Sequence, residues 1–260
     1  MIDLLFDSST TEKLQQQLNS PEYHQSCQRF QPECQRLEDI AKTLQQRRSA
    51  LQRDCDTLTV RRELASGSNL HRGFYCPSPV VDVVIGNTHR GKILKRITSR
   101  SKPSHEYGFN ANGQLLWCVY GPKHPNARVE YLVYEGNTIY GITFDSCGHP
   151  DIITEEVYHD RKLSSYMYGL CVYTKRDICL SELTCEYYDY DEAGLCSFQN
   201  HRIAFLPKNP PDYLKDLIPP ICYEAPVYNH SEYLFQRENG YLSSFTTNGH
   251  TYPALVQRKA

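Results

Sequence analysis

At 260 residues the chain has room for one large or two small domains, and a formal net charge of −2 lacks the basic excess of a dedicated nucleic-acid binder. Eleven cysteines at irregular spacings, in an odd number, do not form the framework of a small disulfide-stapled secreted fold. The opening Met1-Ile-Asp-Leu-Leu-Phe-Asp7 has no basic region before a long apolar run, and no stretch approaches a membrane span, so a reducing cytoplasmic setting is expected.

Ser9-Thr-Thr-Glu12 reads as a capping box opening a short helix with Leu14 and Leu18 on one face. Phe30, Leu37, Leu44, Leu51 and Leu58 then recur every seven residues, with Cys27, Cys34, Ala41 and Cys55 at complementary positions. Pro32 fits the first turn of a long helix ending near Leu64, about 50 Å in length. Arg48 interrupts the seam, and the Cys and Ala row is thin. The stripe therefore suits an arm packed on the rest of the chain, or a homodimer through residues 30–58.

Ala65-Ser-Gly-Ser-Asn69 reads as a linker, which divides the chain into a helical arm, 1–70, and a β domain, 71–260. Val80-Val-Asp-Val-Val-Ile85 has the composition of a short buried strand. The stretch 89–102 contains Arg90, Lys92, Lys95 and Arg96 and no acid. It suits a phosphate-facing patch or an edge strand guarded by cations.

From residue 105 onward strand patterns dominate. Tyr107, Phe109, Leu115, Trp117 and Val119 fall at same-face spacing around Asn112-Gly113. Gly136-Asn137, Asn239-Gly240 and Asn248-Gly249 mark further hairpins, the last two within a closing meander. Residues 207–226 hold six prolines and read as an irregular excursion. The predicted fold class is α+β, a helical arm followed by a mainly antiparallel β-meander.

One phrase recurs through the β region: apolar or aromatic, any residue, aromatic, Asp or Asn, two variable residues, Gly. It occurs at Tyr107–Gly113, Ile142–Gly148 and Tyr188–Gly194, with a longer variant at Tyr233–Gly240. The phrase resembles the YD repeat of Rhs-type bacterial proteins, whose units read Tyr-x-Tyr-Asp-x-x-Gly-x-Leu. Tyr107–Leu115 fits that frame with Phe-Asn for Tyr-Asp, and Tyr188–Leu195 lacks one residue between Gly and Leu. The chain is too short for a toxin-enclosing shell. The resemblance implies instead a small immunity-like or antitoxin-like protein that binds a partner, such as a toxin.

No signature of catalysis stands out among the motifs: there is no Gly-x-Ser-x-Gly, His-Glu-x-x-His or phosphate-cradling loop. Cys171, Cys179, Cys185 and Cys196 are spaced too widely for a zinc ribbon, and Cys147-Gly-His149 occupies a turn of the repeat. Neither cofactor nor metal is predicted. The leading expectation is a non-enzymatic protein-binding module. Trp117, Tyr131, Tyr134, Tyr187, Tyr188 and Tyr190 would supply aromatic anchors, and Asp189, Asp191 and Glu192 would complement a basic partner. Two other classes stay open: a hydrolase-like enzyme with a Cys/His site between arm and sheet, and a nucleic-acid-associated protein using 89–102.

Overall fold

The seven-residue stripe is buried against a sheet of the same chain, not against a second helix. The computed structural model describes residues 21–98, 101–173, 177–204 and 227–256, so the capping box at Ser9 and the proline-rich stretch 207–226 lie outside it. Helix α1 spans Pro21–Gln46 and α2 spans Arg48–Leu58. Phe30, Cys34, Leu37, Ala41, Leu44, Leu51 and Cys55 are all buried on that face, whereas Leu58 is 53% exposed. The stripe is thus consumed within the chain, and the homodimer through 30–58 gains no support from it.

The expected single helix differs in three respects. Pro32 is inside α1, exposed, where it forfeits the hydrogen bond to the Gln28 carbonyl. The helix breaks at Arg47, whose N–H is shared between the Thr43 and Leu44 carbonyls at 3.3 and 3.1 Å. It ends at Leu58, where the Thr59 N–H and hydroxyl both bond the Cys55 carbonyl (3.0 and 2.6 Å), and Arg61–Ser66 becomes strand β1. Val60 N–H to the Phe109 carbonyl, 2.9 Å, starts that pairing.

Thirteen described strands make one antiparallel sheet in the order β13-β12-β11-β10-β9-β8-β7-β6-β5-β4-β3-β1-β2. After β2 (Lys92–Ile93) and β3 (His105–Phe109) come β4 (Leu115–Tyr120), β5 (Arg128–Glu135), β6 (Thr138–Phe144) and β7 (Pro150–His159). Then follow β8 (Lys162–Tyr173), β9 (Ile178–Asp191), β10 (Gly194–Ala204), β11 (Val227–Glu238), β12 (Tyr241–Thr247) and β13 (His250–Pro253). From β3 onward each strand pairs with its neighbour in sequence, so a meander is what the chain builds. Asn239-Gly240 and Asn248-Gly249 have positive φ at both residues (53° and 77°, 50° and 75°), as two-residue hairpins that match strand twist require.

Both faces of the sheet are covered. On one, Trp117, Tyr131, Ile142, Ile153, Gly169, Leu183, Ile203 and Tyr228 stand in register across eight strands beneath α1 and α2. On the other, residues 67–91 cross the sheet with a 3₁₀ turn at Gly73–Tyr75 and helix α3, Val81–Val84. Val80 and Val83, fully buried, meet Leu163, Tyr166, Tyr188, Phe198, Phe235 and Phe245. The strand expected at Val80–Ile85 is therefore a helical turn. Strand geometry would put Val80 and Asp82 on one face, whereas i, i+3 spacing sinks both Val80 and Val83 and leaves Asp82 to the Arg90 guanidinium, 3.2 Å away.

The recurring phrase acquires a mechanical meaning. Its Asp or Asn closes an Asx turn each time: Asn110 Oδ1 accepts the N–H of Asn112 and Gln114 (3.0 Å each), Asp145 Oδ1 those of Cys147 and His149 (2.8 Å each), and Asp191 Oδ1 that of Ala193 (2.8 Å). The final Gly takes the positive φ (77°, 85° and 125°) that an L side chain resists.

Candidate functional site

Consecutive glutamates on β7 point to opposite faces, and each takes an arginine from the layer covering its face. Glu155 pairs with Arg36 of α1, Nη2 to Oε1 at 2.8 Å. Glu156 pairs with Nη1 of Arg72, which descends from the crossing segment. Arg72 is the centre of the second face: it is 2% exposed and takes a left-handed backbone conformation, φ 53°.

Its backbone is pinned by two hydroxyls of the sheet. Arg72 N–H donates to Tyr120 (3.2 Å), and Tyr107 donates to the Arg72 carbonyl (3.0 Å). The guanidinium Nε donates to Glu130 Oε1 at 2.8 Å and Nη2 to Thr154 Oγ1 at 2.9 Å. Gly141 makes this approach possible. A Cβ there would lie 2.5 Å from both Arg72 Nη2 and Thr154 Oγ1 and would also strike Glu130 Oε1.

A shell of tyrosines completes the cluster. Tyr120 donates to Glu130 Oε2 at 2.6 Å and Tyr158 to Glu156 Oε2 at 2.7 Å. His71 lies between Glu130 Oε2, 3.2 Å from Nε2, and the Tyr166 hydroxyl, 2.7 Å from Nδ1. Burial alone would raise the Glu130 carboxyl, but Arg72 and His71 outweigh it and hold the group well below the usual carboxylate range. For Arg72 burial opposes the charge, and the two carboxylates prevail.

A cavity of about 300 Å³ opens above His71, lined also by Ser104, His105, Tyr120, Arg128 and Tyr168. Burial, then the neighbouring His71, pushes His105 down to about 4, so it stands as a neutral ring. Burial drives the Tyr120 and Tyr166 phenols far from ionisation. Burial likewise pushes up the thiols of Cys34, Cys55, Cys76, Cys118, Cys171, Cys179 and Cys185, the opposite of what a thiolate nucleophile needs.

Further along the same face, Glu186 is buried against Tyr188, whose hydroxyl reaches both its Oε2 and Ser78 Oγ. Burial raises this carboxyl from its ordinary 4.5 to about 7. Glu186 in the unfolded chain ionises near 4.5 while in the fold it retains the proton up to about 7, so its contribution to wild-type stability declines across that interval and changes no further above it. Glu186→Gln has no such decline. Its stability relative to wild type should rise by about 3 kcal/mol between pH 4.5 and pH 8, read from urea unfolding. A pH-independent difference would show that Glu186 is not held protonated.

The expected aromatic anchors do not share a surface. Trp117 and Tyr131, each 7% exposed, lie under the helices, with Trp117 Nε1 donating to Thr59 Oγ1 at 2.9 Å. Tyr187 is on that face too, beneath Arg29 and beside His201. Tyr134, Tyr188 and Tyr190 point the other way: Tyr134 donates to the Leu115 carbonyl, Tyr188 is buried at Glu186, and Tyr190 sits under Lys162. Strand alternation separates Tyr187 from Tyr188, and covering both faces turns most of these rings into core. Asp189, Asp191 and Glu192 are exposed, Asp189 accepting from Ser197 and Asp191 binding Arg237. Of the basic group, Arg90 ties the crossing segment together through Asp82 and the carbonyls of Cys76 and Ser78, while Lys92, Lys95 and Arg96 are exposed at and beside edge strand β2.

Among the described residues no helix is long and apolar enough to cross a membrane. No protein family matches the chain, and no curated protein does. Solved structures with some likeness to it include a porin-like protein from Bacteroides uniformis ATCC 8492, at 12% identity and a TM-score of 0.17, over 61% of this chain and 91% of that one. A score that low says nothing about fold or function.

Proposed function

We propose that the chain is a non-enzymatic protein-binding module, with an immunity-like or antitoxin-like role as its specific form. The observation that carries this reading is a groove of about 650 Å³ between α1 and the β5–β6 hairpin. Its floor is Ile40, Leu44 and Tyr140, and its rim is Arg36, Asp39, Arg47 and Glu135. An apolar centre inside a mixed-charge rim is the anatomy of a protein interface. The opposite face supports the same reading, since its histidine, carboxylates and arginine are engaged with one another. The occupant would be a loop or extended segment of the partner, its apolar side chains on Tyr140 and Ile40.

Tagged protein recovered from its native cells should bring down one stoichiometric protein, and Ile40→Arg or Tyr140→Ala should abolish that capture without unfolding the chain. Lys92→Ala, on edge strand β2 away from the groove, should not affect it. A partner retained by both groove variants, or lost equally with Lys92→Ala, would remove the groove from consideration. Absence of any partner would count against the binding role itself.

A further inference from the structure

We propose that the turn between β6 and β7 is a site for a divalent transition metal, zinc above all, held by Asp145, Cys147 and His149 with one coordination position open. One donor atom from each of the three residues lies within 4.8 Å of the other two. Asp145 Oδ2 and His149 Nδ1 are 3.4 Å apart. That matches the edge of a tetrahedron whose oxygen and nitrogen corners are each about 2.0–2.1 Å from the metal.

The donors are held in place by the protein itself. Asp145 spends Oδ1 on the Cys147 and His149 N–H groups, both at 2.8 Å, which leaves Oδ2 facing the His149 ring. The His149 ring stacks on Tyr173 with centroids 4.5 Å apart and planes at 18°. Gly148 lies against the Arg48 guanidinium, which also covers the Phe144 ring at 5.2 Å. All three donors reach solvent, so an ion can enter without opening the fold.

Turn geometry does not explain why Cys and His stand where they do. The β3–β4 turn closes the same Asx arrangement with Asn112 and Gln114 at those two positions, and the β9–β10 turn has Ala193 and Leu195 there. Only the β6–β7 turn places a thiol and an imidazole beside the carboxylate. Sulfur, nitrogen and oxygen together favour zinc and its neighbours over magnesium or calcium. A thiolate and a carboxylate neutralise a divalent ion, so the nearby Arg48 faces a neutral complex. Cys147 gives up its proton to solvent on binding.

Cobalt(II) added to the reduced, full-length, metal-stripped protein should bind at one equivalent, with ligand-field bands and a thiolate-to-cobalt charge-transfer band, and zinc should displace it. Cys147→Ser should abolish the charge-transfer band, and both Cys147→Ser and His149→Ala should weaken zinc binding by at least about tenfold. Asp145→Asn keeps the turn, as Asn110 does in its own, and should weaken zinc while leaving the circular dichroism unchanged. Cys179→Ser, at another exposed thiol, serves as the control. A charge-transfer band that survives Cys147→Ser, one lost equally with Cys179→Ser, or no saturable cobalt spectrum would overturn the assignment.

Discussion

Arg72→Met is expected to lower the unfolding free energy by about 3–5 kcal/mol, because it leaves the Glu130 and Glu156 carboxylates buried without their cation. Urea unfolding at neutral pH measures this directly. Adding Glu130→Gln and Glu156→Gln should recover much of the loss, since the penalty arises from unpaired charge and not from missing volume. The acid response should invert as well. In the wild type Glu130 ionises below its usual range, so its stabilisation is complete at neutral pH and is lost as pH falls through that depressed value. In Arg72→Met the buried carboxylates would prefer their protons, and moderate acid would stabilise the variant. If Arg72→Met loses less than about 1 kcal/mol, the cluster is hydrated and the guanidinium is not its keystone.

The second large effect belongs to Gly141. Its φ is not in the left-handed region, so alanine is acceptable to the backbone, and the damage comes from what the methyl meets. Arg72, Glu130 and Thr154 converge on that point, and none can retreat without breaking a hydrogen bond of the others. Gly141→Ala should therefore cost about 3 kcal/mol, the upper part of the usual range for an overpacked core. Gly86 is the matched control: a methyl there would meet nothing within 4 Å, and its φ is not positive. It should tolerate alanine within about 0.5 kcal/mol. Equal losses at the two positions would show that the Arg72 approach through Gly141 is not tightly fitted.

What the sequence makes legible is whatever local chemistry decides. Asn239-Gly240 and Asn248-Gly249 announce their hairpins because few residues accept two successive positive φ values. The Asp or Asn of the recurring phrase announces an Asx turn. Trp117 is hidden by something non-local: a bulge after Gly108 shifts the register by one, so Trp117 stands opposite Gly108 and faces away from Tyr107. A methyl on Gly108 would collide with the Trp117 indole, which is how closely the bulged strands approach.

The Arg72 cluster was illegible for a related reason. Glu130 and Glu156 look like solvent-facing residues in strands, until a crossing segment of irregular backbone covers them and supplies the counter-charge. Gly141 in Ile139-Tyr-Gly-Ile-Thr143 is the available signal, since an isolated strand glycine marks a close approach of something across the face. It does not say what approaches. The aromatic surface failed because Tyr serves core and interface equally well.

The sheet order has one more consequence. Because β4 to β12 each pair with the strand before and after them in sequence, the structure is a linear array of hairpins joined edge to edge, with couplings mainly between adjacent units. In such an array a whole hairpin can be gained or lost with the joints of distant units intact. The helices and the Arg72 segment are the exceptions. They tie together units that do not pair with one another, α1 reaching β7 through Arg36 and β11 through Phe30 while Arg72 bridges β5 and β7, and so act as cross-braces on an otherwise extensible ribbon.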